Sequence, residues 1–553
     1  MTGYDQRPWL TAYPADRGPH LRRAFPTALD MFDAAVTAVP HSPAIHYFDS
    51  TLTWTEVDRA ANALAWFLIA RGFSAGDRLA LCLQNNPAFV IGVIAAWKAG
   101  GTATPISPMA TSDELSDALA SFAPTALLIL DDLYSDRARA VLATGATSVR
   151  IVVTVSALDG QTRDDARVFD GTRRRKPGDT VDLMALIAEA SVGSGPAAQP
   201  RRVGPSDIAL LASTSGTTGP SKGAQITHAN LAFNAQVYRD WTGLRPGEPV
   251  LALAPVFHVT GLVGAVATAL INQSPLIMTH RFHPTVIADA CREWQPAFCV
   301  AVITAYIALA GDPDVKASDL ASLRLRYSGG APIEPDVADR LEERLGGYIH
   351  NVYGQTETTS PSHAVPPGVS APVSDDFEVL SVGIPVFDTI VRIVDDDGND
   401  LPVGEIGELV TTGPQVIHGY WNDPVATADA FSGGSLRTGD VGFMDPNGWF
   451  YIVDRKKNII NAAGYKVWPS EVERRLQSHP AIAEAAVIGV PDGYRGETVK
   501  AFIVTNPGAT MTVGEVIAYC RDHLAAYKYP HEVEFVSALP RTATGKLLRR
   551  ALR

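Results

Sequence analysis

The stretch 214-TSGTTGPSKG-223 gathers glycine, hydroxyls and one lysine into ten residues. That mixture suits a loop that holds phosphate. Backbone amides and the hydroxyls of Thr214, Ser215, Thr217 and Thr218 can ring a polyphosphate, and Lys222 adds a point charge. Gly216 and Gly219 allow the backbone to come close. The spacing is not that of a P-loop, which needs G-x-x-x-x-G-K-[ST]. Here Pro220 and Ser221 separate Gly219 from Lys222, and Gly223 follows. Only 10 of the 46 basic residues are lysine, so a lysine at this point is a poor candidate for a casual surface charge.

Four further stretches carry matching chemistry. In 353-YGQTET-358 an aromatic, a glycine, hydroxyls and a carboxylate stand together. Glu357 is suited to a magnesium ion beside a triphosphate. In 435-SLRTGDVG-442 the carboxylate of Asp440 lies among glycines and suits a diol such as ribose. The stretch 454-DRKKNIINAAGYKVWPSEVE-473 brings four cations and a tight Gly464, and 540-PRTATGKLLRR-550 puts Lys546 after a glycine. Each has an ordinary reading as a helix cap, a turn or a basic surface. All of them together, in this order, do not.

The elements around these residues set the fold class. The apolar run 207–212 enters the phosphate loop as a strand, 223–228 leaves it as another, and a helix starts near Ala229. A P-loop instead joins a strand to a helix. Upstream, Thr53-x-x-Glu56 is a capping box, and Val57, Ala61, Leu64 and Leu68 share one helical face up to Gly72. A strand over 78–83 and a helix from Pro87 to Gly100 continue the alternation, which implies α/β architecture with parallel sheets covered by helices. Residues 160–205 are polar, include 173-RRRK-176 and are expected to form a surface excursion, with weak peripheral contact to anionic lipid through that run. Near 454 the pattern changes. Ser470-x-x-Glu473 and Thr512-x-x-Glu515 are expected to cap helices, with strands over 485–490 and 499–504. The expectation is a large multi-subdomain N-terminal domain over 1–453 and a small, mobile α+β domain over 454–553.

Composition narrows the classes. The 553 residues, 46% hydrophobic and 19% charged, exceed one core. A net charge of −13 argues against nucleic acid as a partner. Cys82, Cys291, Cys299 and Cys520 form no C-x-x-C, so neither a disulfide framework nor a zinc site is indicated. The first residues lack the apolar core of a signal peptide, and runs such as 258-HVTGLVGAVATALI-271 are short and broken by glycine; the expected location is the cytoplasm.

With 52-LTWTEV-57, 97-WKAGGTATPISP-108, 255-PVFHVTG-261, 329-GGAPI-333 and 404-GEIGELVTTGPQVIHGYWNDP-424 added, the chain resembles the adenylate-forming superfamily from about residue 30 onward. The GYKVWPSEVE stretch and the YKYP…LPRTATGKLLRR ending look most like bacterial fatty-acyl-CoA ligases. The resemblance implies that a carboxylate attacks the α-phosphate of ATP to give an acyl-adenylate and pyrophosphate, and that coenzyme A then displaces AMP. It assigns the β- and γ-phosphates to the 214–223 loop, Mg2+ to Glu357 and the α-phosphate to Thr356. Adenine falls between Tyr353 and the turn at Gly330 and Ala331, and the ribose hydroxyls to Asp440 with Arg455. Lys546 would bridge carboxylate and α-phosphate. Asp454 matches the hinge, and Gly464, Tyr465 and Trp468 would flank the coenzyme A path. Asn458 departs from the acid found in many relatives, which questions a local ion pair. The resemblance leaves room for a homodimer.

For the acid substrate the resemblance points to 255-PVFHVTG-261, where amino-acid-activating relatives carry an acid near the position of Phe257 and His258 to hold the substrate ammonium. No carboxylate stands there to partner an ammonium, which would cost about 3–5 kcal/mol if buried alone. An acid without an α-amine is therefore expected. The resemblance implies that His258, in the family's usual aromatic or histidine position, lies near the mouth of the acyl site, and that Val256, Gly261, Val302, Thr304 and Gly329 line it. A medium- to long-chain fatty acid is the first choice and an aryl acid the second. A fatty acyl-AMP ligase serving a carrier protein shares the ATP motifs, but no extra insertion is seen between 383-GIP-385 and Asp454.

Overall fold

The computed structural model describes residues 3–4, 6–14, 17–192, 201–214, 222–462, 465–492, 496–542 and 547–552. Two helix-covered sheets form the bulk of the chain before residue 366. A seven-stranded sheet takes, across its width, Val181–Asp182, Ile151–Val155, Ala126–Leu130, Arg78–Cys82, Thr102–Pro105, Ile208–Ser213 and Gly223–Thr227. Its pairings are parallel except the last, where Ile208–Ser213 and Gly223–Thr227 form an antiparallel hairpin. A nine-stranded sheet is parallel from Ile45 to Ile349 in its middle and antiparallel at both ends. Helix Pro87–Lys98 is buried at every position, which explains its lack of an amphipathic pattern. Its Lys98 ends beside Asp58 and Asn62, so the buried ammonium is partnered.

The local signals at the chain's start hold. Thr53 caps helix Trp54–Ala70 in a full capping box, and Val57, Ala61, Leu64 and Leu68 are buried along it. Three expectations need correction. The 160–205 excursion is not only a surface loop: Val181–Asp182 adds an edge strand and Leu183–Val192 a helix. Parallel sheets do not account for the whole large region, because Ile390–Val394, Gly407–Thr412, Phe431–Ser432, Ser435–Met444 and Phe450–Arg455 make a wholly antiparallel sheet. Ser470 does not cap. Helix Pro469–Gln477 starts two residues earlier than such a cap would set, with Pro469 at its first position, while the Ser470 hydroxyl donates to Val453 O at 2.6 Å. Glu473 is instead drawn to the Arg549 guanidinium at 2.6 Å. Thr512 does cap Val513–His523 as expected.

The strands Ile460–Ala462, Tyr465–Val467, Ile482–Asp492, Gly496–Thr505 and Glu532–Phe535 form a separate sheet. With helices Pro469–Gln477 and Val513–His523 they enclose their own core of Ile460, Val472, Leu476, Val487, Val499, Ile503 and Val516. No helix among the described residues is long and apolar enough to cross a membrane.

Candidate active site

The hairpin around 214–223 closes where the sequence predicts. Thr214 N donates to Lys222 O at 2.8 Å across its mouth, and the two strands are antiparallel up to Ser213 and Gly223. Ser215, Gly216, Thr217, Thr218 and Gly219 lie outside the described residues, as do Gly464 and Lys546. A segment distant in sequence runs along the hairpin's outgoing strand: Trp421 N donates to Gly223 O at 2.7 Å and Gln225 N to Gly419 O at 3.2 Å.

Glu357 sits in a turn that tertiary contacts hold under strain. Strand Ile349–Gln355 leads into a 3₁₀ turn at Thr356–Thr358, after which Thr359 and Ser360 have φ of 51° and 82°. Two consecutive non-glycine residues in this region need external support. Asn234, fully buried on helix His228–Thr242, donates its amide to Thr358 O at 2.9 Å and Thr359 O at 2.6 Å. Thr359 Oγ1 donates to Gln415 O at 2.8 Å. Gly354 must be glycine, since a Cβ there would lie 1.8 Å from Ser360 O. The Glu357 carboxylate accepts from Tyr420 Oη at 2.7 Å, and its backbone oxygen from Ile417 N at 3.0 Å.

Asp440 is brought to the same place by strand pairing, opposite Arg455. Its side chain is 4% exposed and takes three donors: Arg455 Nε at 2.8 Å, Tyr353 Oη at 2.7 Å and Gln355 Nε2 at 2.7 Å. The carboxylate holds the Arg455 guanidinium above its ordinary pKa. Burial, then Asp440, pushes the Tyr353 phenol well above its usual range, so it stays a donor. Gly329 abuts Val352, the residue before Tyr353, and Gly330 turns the chain at φ 86°. The Gly329–Gly330 turn and Tyr353 are thus neighbours. Behind them His363 lies edge-on to Tyr353 at 5.3 Å, and burial depresses its pKa to about 3, leaving it neutral.

At the expected acyl site, His258 caps the helix that begins at Val259, its Nδ1 accepting from Thr260 N at 3.3 Å. Gly261 is required by the tight turn, because a Cβ would come within 2.2 Å of Pro255 O. Val256 is fully buried in the main core, Val302 is half-buried and Thr304 is exposed. Asn85 braces the segment, accepting from Val256 N at 2.9 Å and donating to Ala252 O and Ala254 O. At the junction between the sheets, the Asp454 carboxylate accepts from Ser470 N at 2.9 Å and from Asn458 Nδ2 at 3.2 Å. An acid at 458 would repel it, so the amide makes local sense. Tyr465 is 58% exposed and stacks on Tyr527, while Trp468 lies against the Val453 cluster.

Around this arrangement, the model of the AMP-binding enzyme family matches residues 32–421, and that of the AMP-binding enzyme C-terminal domain matches 471–546. The chain belongs to the AMP-binding enzyme family. It is 34% identical over 559 residues to a long-chain-fatty-acid–CoA ligase of Bacillus subtilis, covering 99% of this chain and 98% of that one. It is 33% identical to a feruloyl-CoA synthase of an Amycolatopsis species, over 93% and 96% of the two chains. ATP-bound MatB from Rhodopseudomonas palustris superposes with a TM-score of 0.82 at 28% identity, over 95% and 98% of the two chains. The resemblance to adenylate-forming enzymes, with its likeness to fatty-acyl-CoA ligases, is therefore borne out, as is the α/β fold with a small C-terminal domain.

In this AMP-binding enzyme, sequence reasoning missed Tyr420, Gln355, Asn234 and Asn85. Gln355 and Tyr420 stand inside quoted motifs and were open to notice as polar neighbours of a carboxylate. Asn234 and Asn85 carry no local signal, since their partners are backbone carbonyls, and for Asn85 also the Val256 amide, brought near only by folding.

Proposed function

We propose that the protein is an ATP-dependent acyl-CoA ligase that activates a medium- to long-chain fatty acid as its acyl-adenylate, transfers it to coenzyme A, and releases AMP and pyrophosphate. The observation that carries this reading is the meeting of the phosphate hairpin, Glu357 and the triply braced Asp440, three stretches far apart in sequence. The hairpin with Lys222 receives the terminal phosphates, Tyr353 and the Gly330–Ala331 turn flank adenine, and Thr356 meets the α-phosphate. A carboxylate offers about four acceptor sites. Three on Asp440 are taken, so one ribose hydroxyl finds a ready acceptor and the second requires one donor to shift.

Among the described residues no group of three or more acids, histidines or cysteines could hold a metal by itself. One carboxylate at Glu357 instead fits a magnesium ion that arrives on the triphosphate and keeps most of its waters. Such an ion, if held there, would screen charge on the pyrophosphate. Lys546, carried by the small domain, neutralises charge as carboxylate and α-phosphate approach. We place the domain boundary and hinge at Asp454, where sheet membership changes between Phe450–Arg455 and Ile460–Ala462.

A second reading, an aryl acid such as a hydroxycinnamate, is supported by the 33% identity to feruloyl-CoA synthase, close to that of the fatty-acid relative. The test is a panel of aliphatic and aryl acids, with thioester and AMP measured in parallel. Thioester and AMP in equal amounts, greatest with aliphatic chains, are expected. AMP without thioester would indicate transfer to a carrier protein, and a preference for aryl acids would replace the fatty-acid reading.

A further inference from the structure

We propose that Tyr420 is a positioning residue that sets Glu357 and Lys222 in fixed relation, so that one side chain orients both the metal-side and charge-side groups of the phosphate site. The proposal rests on the adenylate-forming reading. The Tyr420 hydroxyl donates to Glu357 Oε1 at 2.7 Å, and the Lys222 ammonium stands over the Tyr420 ring, 4.9 Å from its centroid. Glu357 and Tyr420 are 63 residues apart, and the hairpin lies on a third segment.

Tyr420 is itself immobilised from several sides. It is 7% exposed, and its ring meets Phe431 edge-on at 5.7 Å. Its backbone N donates to Thr427 Oγ1 at 3.0 Å, and Thr427 Oγ1 donates to Asp423 O at 2.7 Å. A bridge to Ala224 and the Trp421–Gly223 bond tie the segment to the hairpin's outgoing strand.

The chemistry explains why a tyrosine suits this place. A nearby carboxylate and ammonium tend to pair and cancel each other. The phenol gives each its own partner: the hydroxyl satisfies one carboxylate oxygen, leaving the other for a cation, and the ring face attracts the ammonium without using its N–H donors on an anion. Leucine would serve neither group, and phenylalanine would serve only the lysine.

The contacts are separable by Tyr420→Phe and Tyr420→Leu, read by calorimetric ATP binding with and without magnesium and by thermal melts. For Tyr420→Phe, metal-free ATP affinity stays within about twofold of wild type. The magnesium concentration that half-saturates the ATP complex rises about tenfold, as for a lost hydrogen bond to a charged group. Tyr420→Leu shows the same magnesium shift and loses a further three- to fivefold (roughly) in metal-free ATP affinity. In a Glu357→Gln background, Tyr420→Phe adds no magnesium shift, since its partner is already neutral. Equal weakening with and without magnesium, or a Tyr420→Phe chain that matches wild type at every magnesium concentration, overturns the proposal; if Tyr420→Leu does not fold, the phenylalanine pair decides alone. A wild-type chain that binds no ATP removes the adenylate-forming reading and this proposal with it.

Discussion

The turn carrying Glu357 and the unit that follows Asp454 are held in opposite ways. Around Glu357 and Asp440 the turn and both carboxylates take partners from other segments: Asn234 and Gln415 on the turn, Tyr420 on Glu357, and Arg455, Tyr353 and Gln355 on Asp440. The C-terminal unit has its own core and a set of ties to the rest. They include Ser470 to Asp454 and Val453, the Arg474–Glu334 pair at 3.3 Å, and Arg474 to Phe377 O. Trp468 adds an apolar contact with Phe443, Tyr451 and Val453. The first region is thus held by contacts from other segments and the second by its own core; the proposed function asks the second to deliver groups to the first.

Acid sharpens the contrast most. Burial pushes His228 and His350 down to about 4, and His280 and His363 to about 3, and all four precede residue 454. Because the folded values lie below the unfolded one, near 6.5, the stability these neutral rings contribute is complete above that value. It is lost as pH falls toward the folded values, by about 2 kcal/mol for each histidine at pH 5. Calorimetry from pH 7.5 to 5 should show the large region's transition falling steeply; an unchanged melting temperature would break the contrast. The next effect is kinetic. Lys546→Ala should slow adenylate formation by roughly 10²–10³ yet convert supplied acyl-adenylate to thioester at a near-normal rate. Gly464→Leu should do the reverse, by crowding the coenzyme A path. If both variants, folded, lost both half-reactions equally, the delivering role of the small unit would be wrong.

Asn234→Ala should cost about 2 kcal/mol by stripping donors from buried carbonyls, and should weaken ATP binding by loosening the Glu357 turn. Stability lost with ATP affinity intact would show that the turn keeps its shape unaided. The smallest effect is at the surface. Arg174 pairs with Asp159 at 3.0 Å and Arg175 with Asp136, so Arg173 and Lys176 carry most of the expected lipid contact, about 1 kcal/mol each at low salt. Co-sedimentation with anionic vesicles that is unaltered when all four residues become serine would remove it.

The chain's local signals determined its local structure. Thr53 and Thr512 capping boxes and the strand–loop–strand setting of 214–223 depend on neighbours within a few residues, and they were legible without the fold. The candidate reactive groups were proposed by type and spacing, as carboxylate, hydroxyl, glycine and lysine suit phosphate chemistry, and folding brings Glu357, Asp440 and Lys222 into one region. Ser470 misled for the same local reason: its pattern fits a cap, but its hydroxyl finds Val453 O across the junction. What only the tertiary structure decided is the bracing. Asn234 reaching the Glu357 turn, Tyr420 joining it to Lys222, and Arg455 facing Asp440 are meetings of residues made near by sheet pairing and helix burial. An amide that satisfies a distant carbonyl has no periodicity and no motif of its own, so its role appears only once the chain has folded around it.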